Sequence, residues 1–127
     1  MEIQQKLVIT TKENSAHIEF DNETNTLVLK GHSMPEQAQQ FFFPIFDWVN
    51  CYLKSNPEKT TLIVAFEYLH TGAARLVYEL IKMLHKSEEN GNRLTVSWCY
   101  EEDDEDMKDL GKEFSDILGI DFSFSEF

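Results

Sequence analysis

Apolar and polar residues alternate, bunch and alternate again along the chain, and each change of rhythm marks an element. "KLVIT" (Lys6 to Thr10) is a short apolar run and reads as a strand. "AHIEFD" alternates, with Ile18 and Phe20 on one face. "DNETN" (Asp21 to Asn25) has turn chemistry, and "TLVLKGHS" resumes a strand, so an antiparallel hairpin is predicted. "SMPE" then opens a helix: Ser33 and Glu36 stand at capping-box spacing and Pro35 suits a first turn. Phe42, Ile45, Phe46, Val49 and Leu53 form its expected buried stripe. Pro44 inside this stretch predicts a kink or break near Gln40 to Phe43, because proline cannot donate to the carbonyl four residues back.

"SNPEK" is a loop, and "TTLIVAFEYL" has the continuous apolar centre of a strand covered on both faces. A second helix follows from about Gly72 to Lys86, with Ala73, Leu76, Val77, Leu80, Ile81 and Leu84 on one side. "ENGNR" stops it, "LTVSWCY" is another strand, and a third helix carries Met107, Leu110, Phe114 and Ile117 inward. "IDFSFSEF" adds a short last strand. The predicted order is β-β-β-α-β-α-β-α-β, an α/β fold in which about three helices back a mixed sheet.

The 127 residues, 42% of them hydrophobic and 13% aromatic, suit a single domain spanning residues 1–127 with a real core. A formal net charge of -12 makes nucleic acid and anionic membrane poor partners. No apolar run approaches a membrane span and the N-terminus does not read as a signal peptide, so a cytoplasmic protein is expected. Cys51 and Cys99 lie in apolar surroundings and read as buried small hydrophobes.

Candidate chemistry is sparse. His17, His32, His70 and His85 show no zinc spacing, so no metal site is expected from them. No nucleophile elbow and no glycine-rich phosphate loop are present, and catalysis is not expected; nor is a cofactor. The acid run from Glu101 to Asp106 reads first as charge gathered at a helix N-terminus. The alternative is a small divalent-metal-dependent enzyme or enzyme subunit that uses those carboxylates. Phe41 and Trp48, seven apart, share a helix face of their own. That face is either buried under the hairpin or an exposed anchor for a partner protein.

The segment "LHTGAAR" places one hydroxyl, Thr71, at a strand-to-helix junction. As an N-cap its oxygen would accept from the N–H of Ala73 or Ala74. The same geometry suits a phosphate: Gly72 and Ala73 would offer N–H groups, His70 stands beside it, and Arg75 follows one turn on.

Three ordered pieces carry a family resemblance. "LVLKGHSMPEQAQQFFFPIFDWV", "FEYLHTGAARLVYELIKML" and "NGNRLTVSWCYEEDDEDMKDLGKEFSDIL" together resemble the SiaC-type regulatory phosphoproteins. The resemblance implies a fold similar to anti-sigma-factor antagonists (STAS-like) and a non-catalytic bacterial partner-switching protein. It implies that a kinase phosphorylates Thr71 and a metal-dependent phosphatase reverses this. It further implies that the unmodified form binds and activates a diguanylate cyclase, promoting cyclic di-GMP synthesis and biofilm. His70, Gly72, Ala73 and Ala74 depart from the family's usual Asn and Ser residues. Ser33, Glu36, Phe41 and Trp48 are the candidate partner-binding residues, around Thr71 and the first helix.

Overall fold

The computed structural model describes residues 6–10, 16–34 and 38–127, with side chains of 38–42 also outside the description. The elements are β1 (Lys6–Thr10), β2 (Ala16–Asp21), β3 (Thr26–Ser33), α1 (Ala38–Lys54), β4 (Lys59–Tyr68), α2 (Thr71–Lys86), β5 (Arg93–Tyr100), α3 (Glu105–Leu118) and β6 (Phe122–Glu126). A short 3-10 turn, Ser87–Asn90, follows α2. The strands form one six-stranded sheet in the order β1-β2-β3-β4-β5-β6. The β1–β2 and β2–β3 pairs are antiparallel, and the remaining three are parallel. Asn25, at φ 54, supplies the left-handed residue that closes the turn between β2 and β3.

From β3 onward each strand is laid beside its predecessor in one direction, and each crossover is a helix. Crossovers of one hand in a sheet that never reverses direction bring all the helices to the same face. The burial follows: Ile18, Phe20, Leu27, Leu29, Leu62, Val64, Phe66, Val96 and Trp98 are buried toward the helices. Their alternating neighbours Glu19, Thr61, Ile63 and Ser97 are not. The expectation that β4 is covered on both faces is therefore wrong. Its apolar centre fills one face, and Ile63 and Ala65 are half-buried on the other. Each fully buried Leu, Ile or Phe of this face contributes roughly 1.5–3 kcal/mol by leaving water.

Helix α1 corrects three more expectations. It runs unbroken from Ala38 to Lys54 with Pro44 inside it, so no break forms at the proline. Ser33 is the last residue of β3 rather than the cap of α1, and Glu36 lies outside the described residues. The buried stripe is Ile45, Trp48, Val49 and Tyr52, turned about one residue from the expected one, while Phe46 and Leu53 are only partly buried. Trp48 stacks on Tyr52 at 5.2 Å between ring centroids and meets Phe20 at 5.6 Å.

Below this stack runs a chain of buried polar groups that the periodicity did not announce. The Tyr52 hydroxyl lies 2.7 Å from Thr60 Oγ1 and donates to Asn25 Oδ1 at 3.0 Å. Asn92 Nδ2 donates to Thr60 Oγ1 and Ser87 Oγ, and Ser87 Oγ donates to the Leu84 carbonyl. These bonds satisfy groups whose burial would otherwise cost free energy. Burial raises the Tyr52 pKa, partly offset by the Thr60 hydrogen bond.

The inner stripes of α2 and α3 close the core. Ala73, Ala74, Val77, Leu80, Ile81 and Leu84 are buried on α2. On α3 the buried residues are Met107, Gly111 and Phe114, whereas Ile117, expected inside, is 61% exposed. Ile117 falls in the last turn of α3, where Leu118 rather than Ile117 packs against the core. A Cβ on Gly111 would lie 2.6 Å from the Trp98 ring, so the helix backbone rests on the indole. Trp98 Nε1 donates to the Met107 carbonyl at 2.8 Å. Cys51 and Cys99 are unpaired and only partly buried, not fully inside as expected.

Candidate functional site

The carboxyl ends of β3 and β4 and the start of α2 meet at one edge of the sheet. The last pair of the β3–β4 ladder is Ser33 with Tyr68. Alternation would point Tyr68 inward after Leu62, Val64 and Phe66, but it is 57% exposed. Beside it His32 Nδ1 and Glu67 Oε2 lie 2.6 Å apart on the open face, an exposed pair that sequence reasoning missed. Histidine and glutamate 35 residues apart give no local signal; only the strand register joins them.

Leu69 then tucks into the core and the chain turns into α2. The cap is His70, not Thr71. His70 has extended dihedrals, φ -71 and ψ 164, and its Nδ1 accepts the Ala73 N–H at 3.3 Å. The His70 carbonyl takes the Ala74 N–H at 2.9 Å. Thr71 becomes the first helical residue, and its side chain is exposed. The expectation of a threonine cap fails because the imidazole, one residue earlier, reaches the same amide.

The donors also differ from expectation. Ala73 is already engaged by His70, which leaves the N–H groups of Thr71 and Gly72 as the first-turn donors that no described residue takes up. Ala73 and Ala74 are 0% and 8% exposed: they are small because they pack on the sheet, not to clear space around Thr71. Gly72 alone is small and exposed, and a Cβ there would touch the His70 ring at 3.4 Å. No acidic residue stands in the first turn of α2, and Arg75 is exposed one turn on. The first turn of α2 thus brings no carboxylate of its own to the positive end of the helix dipole.

The other predicted site residues divide. Ser33 lies at this edge, partly exposed. The side chain of Phe41 is outside the described residues, as is Glu36. Trp48 is 5% exposed inside the core and cannot serve as a surface anchor. Helix α1 instead exposes Phe43, at 74%.

The acid run is arranged for α3. Asp104 is its cap, accepting the Met107 N–H at 3.1 Å, and Glu105 and Asp106 occupy its first turn. Among the described residues no three His, Cys, Asp or Glu side chains come together to hold a metal ion. No helix among them is long and apolar enough to cross a membrane.

The family model described as "SiaC family regulatory phosphoprotein" matches residues 9–127. The chain belongs to the SiaC family. It is a regulatory protein rather than an enzyme, which sets aside the divalent-metal alternative for the acid run. An uncharacterised protein of Pseudomonas aeruginosa strain UCBPP-PA14 is 23% identical over 117 residues, 92% of this chain and 93% of that protein. Two solved structures from Pseudomonas aeruginosa share the fold. One is the diguanylate cyclase SiaD in complex with its activator SiaC, with a TM-score of 0.85 at 22% identity, covering 95% of this chain and 99% of that one. The other is apo-SiaC, with a TM-score of 0.83 at 22% identity, covering 96% and 99%. The α/β order read from the sequence is the order these proteins have in space.

Proposed function

We propose that this SiaC-family chain is a switch, reversibly phosphorylated on Thr71, that binds and regulates a diguanylate cyclase. The observation that carries the reading is the exposed Thr71 hydroxyl at the start of α2, at a helix end with no acid of its own. Family membership supports a phosphoprotein, and the SiaC named in the cyclase complex is that enzyme's activator. A cytoplasmic kinase adds the phosphate and a metal-dependent phosphatase removes it. Unmodified protein activates the cyclase and raises cyclic di-GMP; modified protein releases it.

The chemistry follows from charge. A phosphate adds about -1.5 to -2 at neutral pH, taking the formal net charge from -12 to about -14. At the first position of α2 it meets the N–H groups of Thr71 and Gly72, which no described residue takes up, and the guanidinium of Arg75 comes within one turn. It therefore sits stably where it forms, and acts on a partner by filling a docking edge with charge rather than by unfolding the helix. Reconstitution with the diguanylate cyclase of the same host tests this. Wild type and Thr71→Ala raise cyclic di-GMP synthesis, whereas Thr71→Glu and the phosphorylated protein do not. Equal activation by Thr71→Glu and wild type would contradict the reading.

A further inference from the structure

Helix α2 differs in charge from the rest of this acidic molecule. Arg75, Lys82 and Lys86 are all exposed, at i, i+7 and i+11, so they stand along one stripe with Glu79 as its single acid. Helix α3 beside it carries Glu105, Asp106, Asp109, Glu113 and Asp116 against Lys108 and Lys112. The helix dipole accounts for Lys86, near the negative end of α2. It does not account for Arg75, which stands early in the helix where positive charge is disfavoured. Among the described residues, none of these three cations makes an ion pair.

Next to this ridge, between the ends of α2 and α3, lies an open groove of about 450 Å³. Tyr78, Ile117 and Leu118 give it an apolar lining, and Lys82, His85 and Lys86 form its α2 wall. Tyr78 is fixed edge-on against Phe114 at 5.2 Å, and Ile117 is 61% exposed. Glu88 and Glu89 close one end, Glu88 being held by His85 at 2.5 Å.

We propose that this surface docks an acidic amphipathic helix of a partner protein. Apolar side chains of that helix enter the groove over Tyr78 and Ile117, and its carboxylates face Arg75, Lys82 and Lys86. Charge complementarity points to this occupant: Arg75, Lys82 and Lys86 have no ion-pair partner among the described residues, and carboxylates spaced along a helix can pair with them. A helix laid in a groove with flanking charges is a common recognition mode. The inference rests on the reading that this chain regulates a protein partner, and it supplies a route for the switch. Arg75 lies one turn from Thr71, so a phosphate there competes with the partner's carboxylates for the same cation.

The test uses two synthetic amphipathic helical peptides with identical leucines at i, i+3, i+4 and i+7, one flanked by glutamates and the other by lysines. Each is titrated into the isotope-labelled full chain and followed by amide chemical shifts. The glutamate peptide is expected to shift amides of residues 78–86 and 117–118, less at high salt, while the lysine peptide does not. The Lys82→Glu/Lys86→Glu double variant should weaken the glutamate peptide roughly tenfold. Ile117→Ser, which changes no charge, should also weaken it, and thermal melts check that both variants are folded. Equal binding of the two peptides, no binding of the glutamate peptide, or shifts confined to other elements would overturn the proposal. The switch at Thr71 is read separately, by mass spectrometry and cyclase activation, so either idea can fail while the other stands.

Discussion

The starts of α2 and α3 answer one physical problem in opposite ways. Each leaves unpaired N–H groups and a partial positive charge. Helix α3 fills that end with its own acids, Asp104 capping and Glu105 and Asp106 in the first turn. Helix α2 has an imidazole for a cap, no carboxylate in its first turn, and an exposed hydroxyl at its first position. The first turn of α3 supplies its own negative charge, and the first turn of α2 supplies none. A chain with 23 acidic residues had material to supply both.

The sharpest contrast to break lies in the glycines. Gly111→Ala drives a methyl into the Trp98 indole, 2.6 Å away, and should cost about 1–3 kcal/mol in chemical denaturation. Gly72→Ala meets only ordinary contact with His70 and should be neutral or gain about 0.5 kcal/mol. The caps come next. Asp104→Ala should lose about 1 kcal/mol, since a charged cap is removed from a helix that depends on it. His70→Ala removes a longer cap bond, 3.3 Å to Ala73, and should lose about 0.5–1 kcal/mol.

The smallest effect is the most telling. Thr71→Glu should stabilise the protein by about 0.3–0.5 kcal/mol at neutral pH and low salt. The sign follows from a carboxylate whose charged form the helix end favours. The gain is present above the unfolded glutamate pKa, near 4.3, and is lost as pH falls below it. Lys108→Gln, which makes the same change of one negative unit among the acids of α3, should bring no gain. If the two substitutions behave alike, the contrast between the helix starts is not electrostatic.

Much of this was legible in the chain. Periodicity placed every strand and helix in order, because an amphipathic stripe or an alternating run is a local signal. It failed where the answer depends on what lies across the fold. Whether Ile63 is covered depends on the direction in which strands are laid down, and Trp48 is inward because α1 turns its stripe by about one residue. The cap was misplaced by one residue because serine and threonine are the usual caps, whereas an imidazole at His70 reaches the same amide. The polar chain through Tyr52, Thr60, Asn92 and Ser87 left no pattern, since its members come from three separate stretches. For the site, the junction around Thr71 could be found from sequence, while the pairing of His32 with Glu67 and the exposure of Tyr68 needed the register.

The central claim is that the hydroxyl at the open helix start receives the phosphate. Phosphopeptide mass spectrometry of the protein purified from its own cells, with the kinase active, tests it most directly. The account predicts phosphate on Thr71, absent when the kinase gene is deleted. Unmodified Thr71 in that protein, or phosphate confined to another residue such as Ser33, would contradict it.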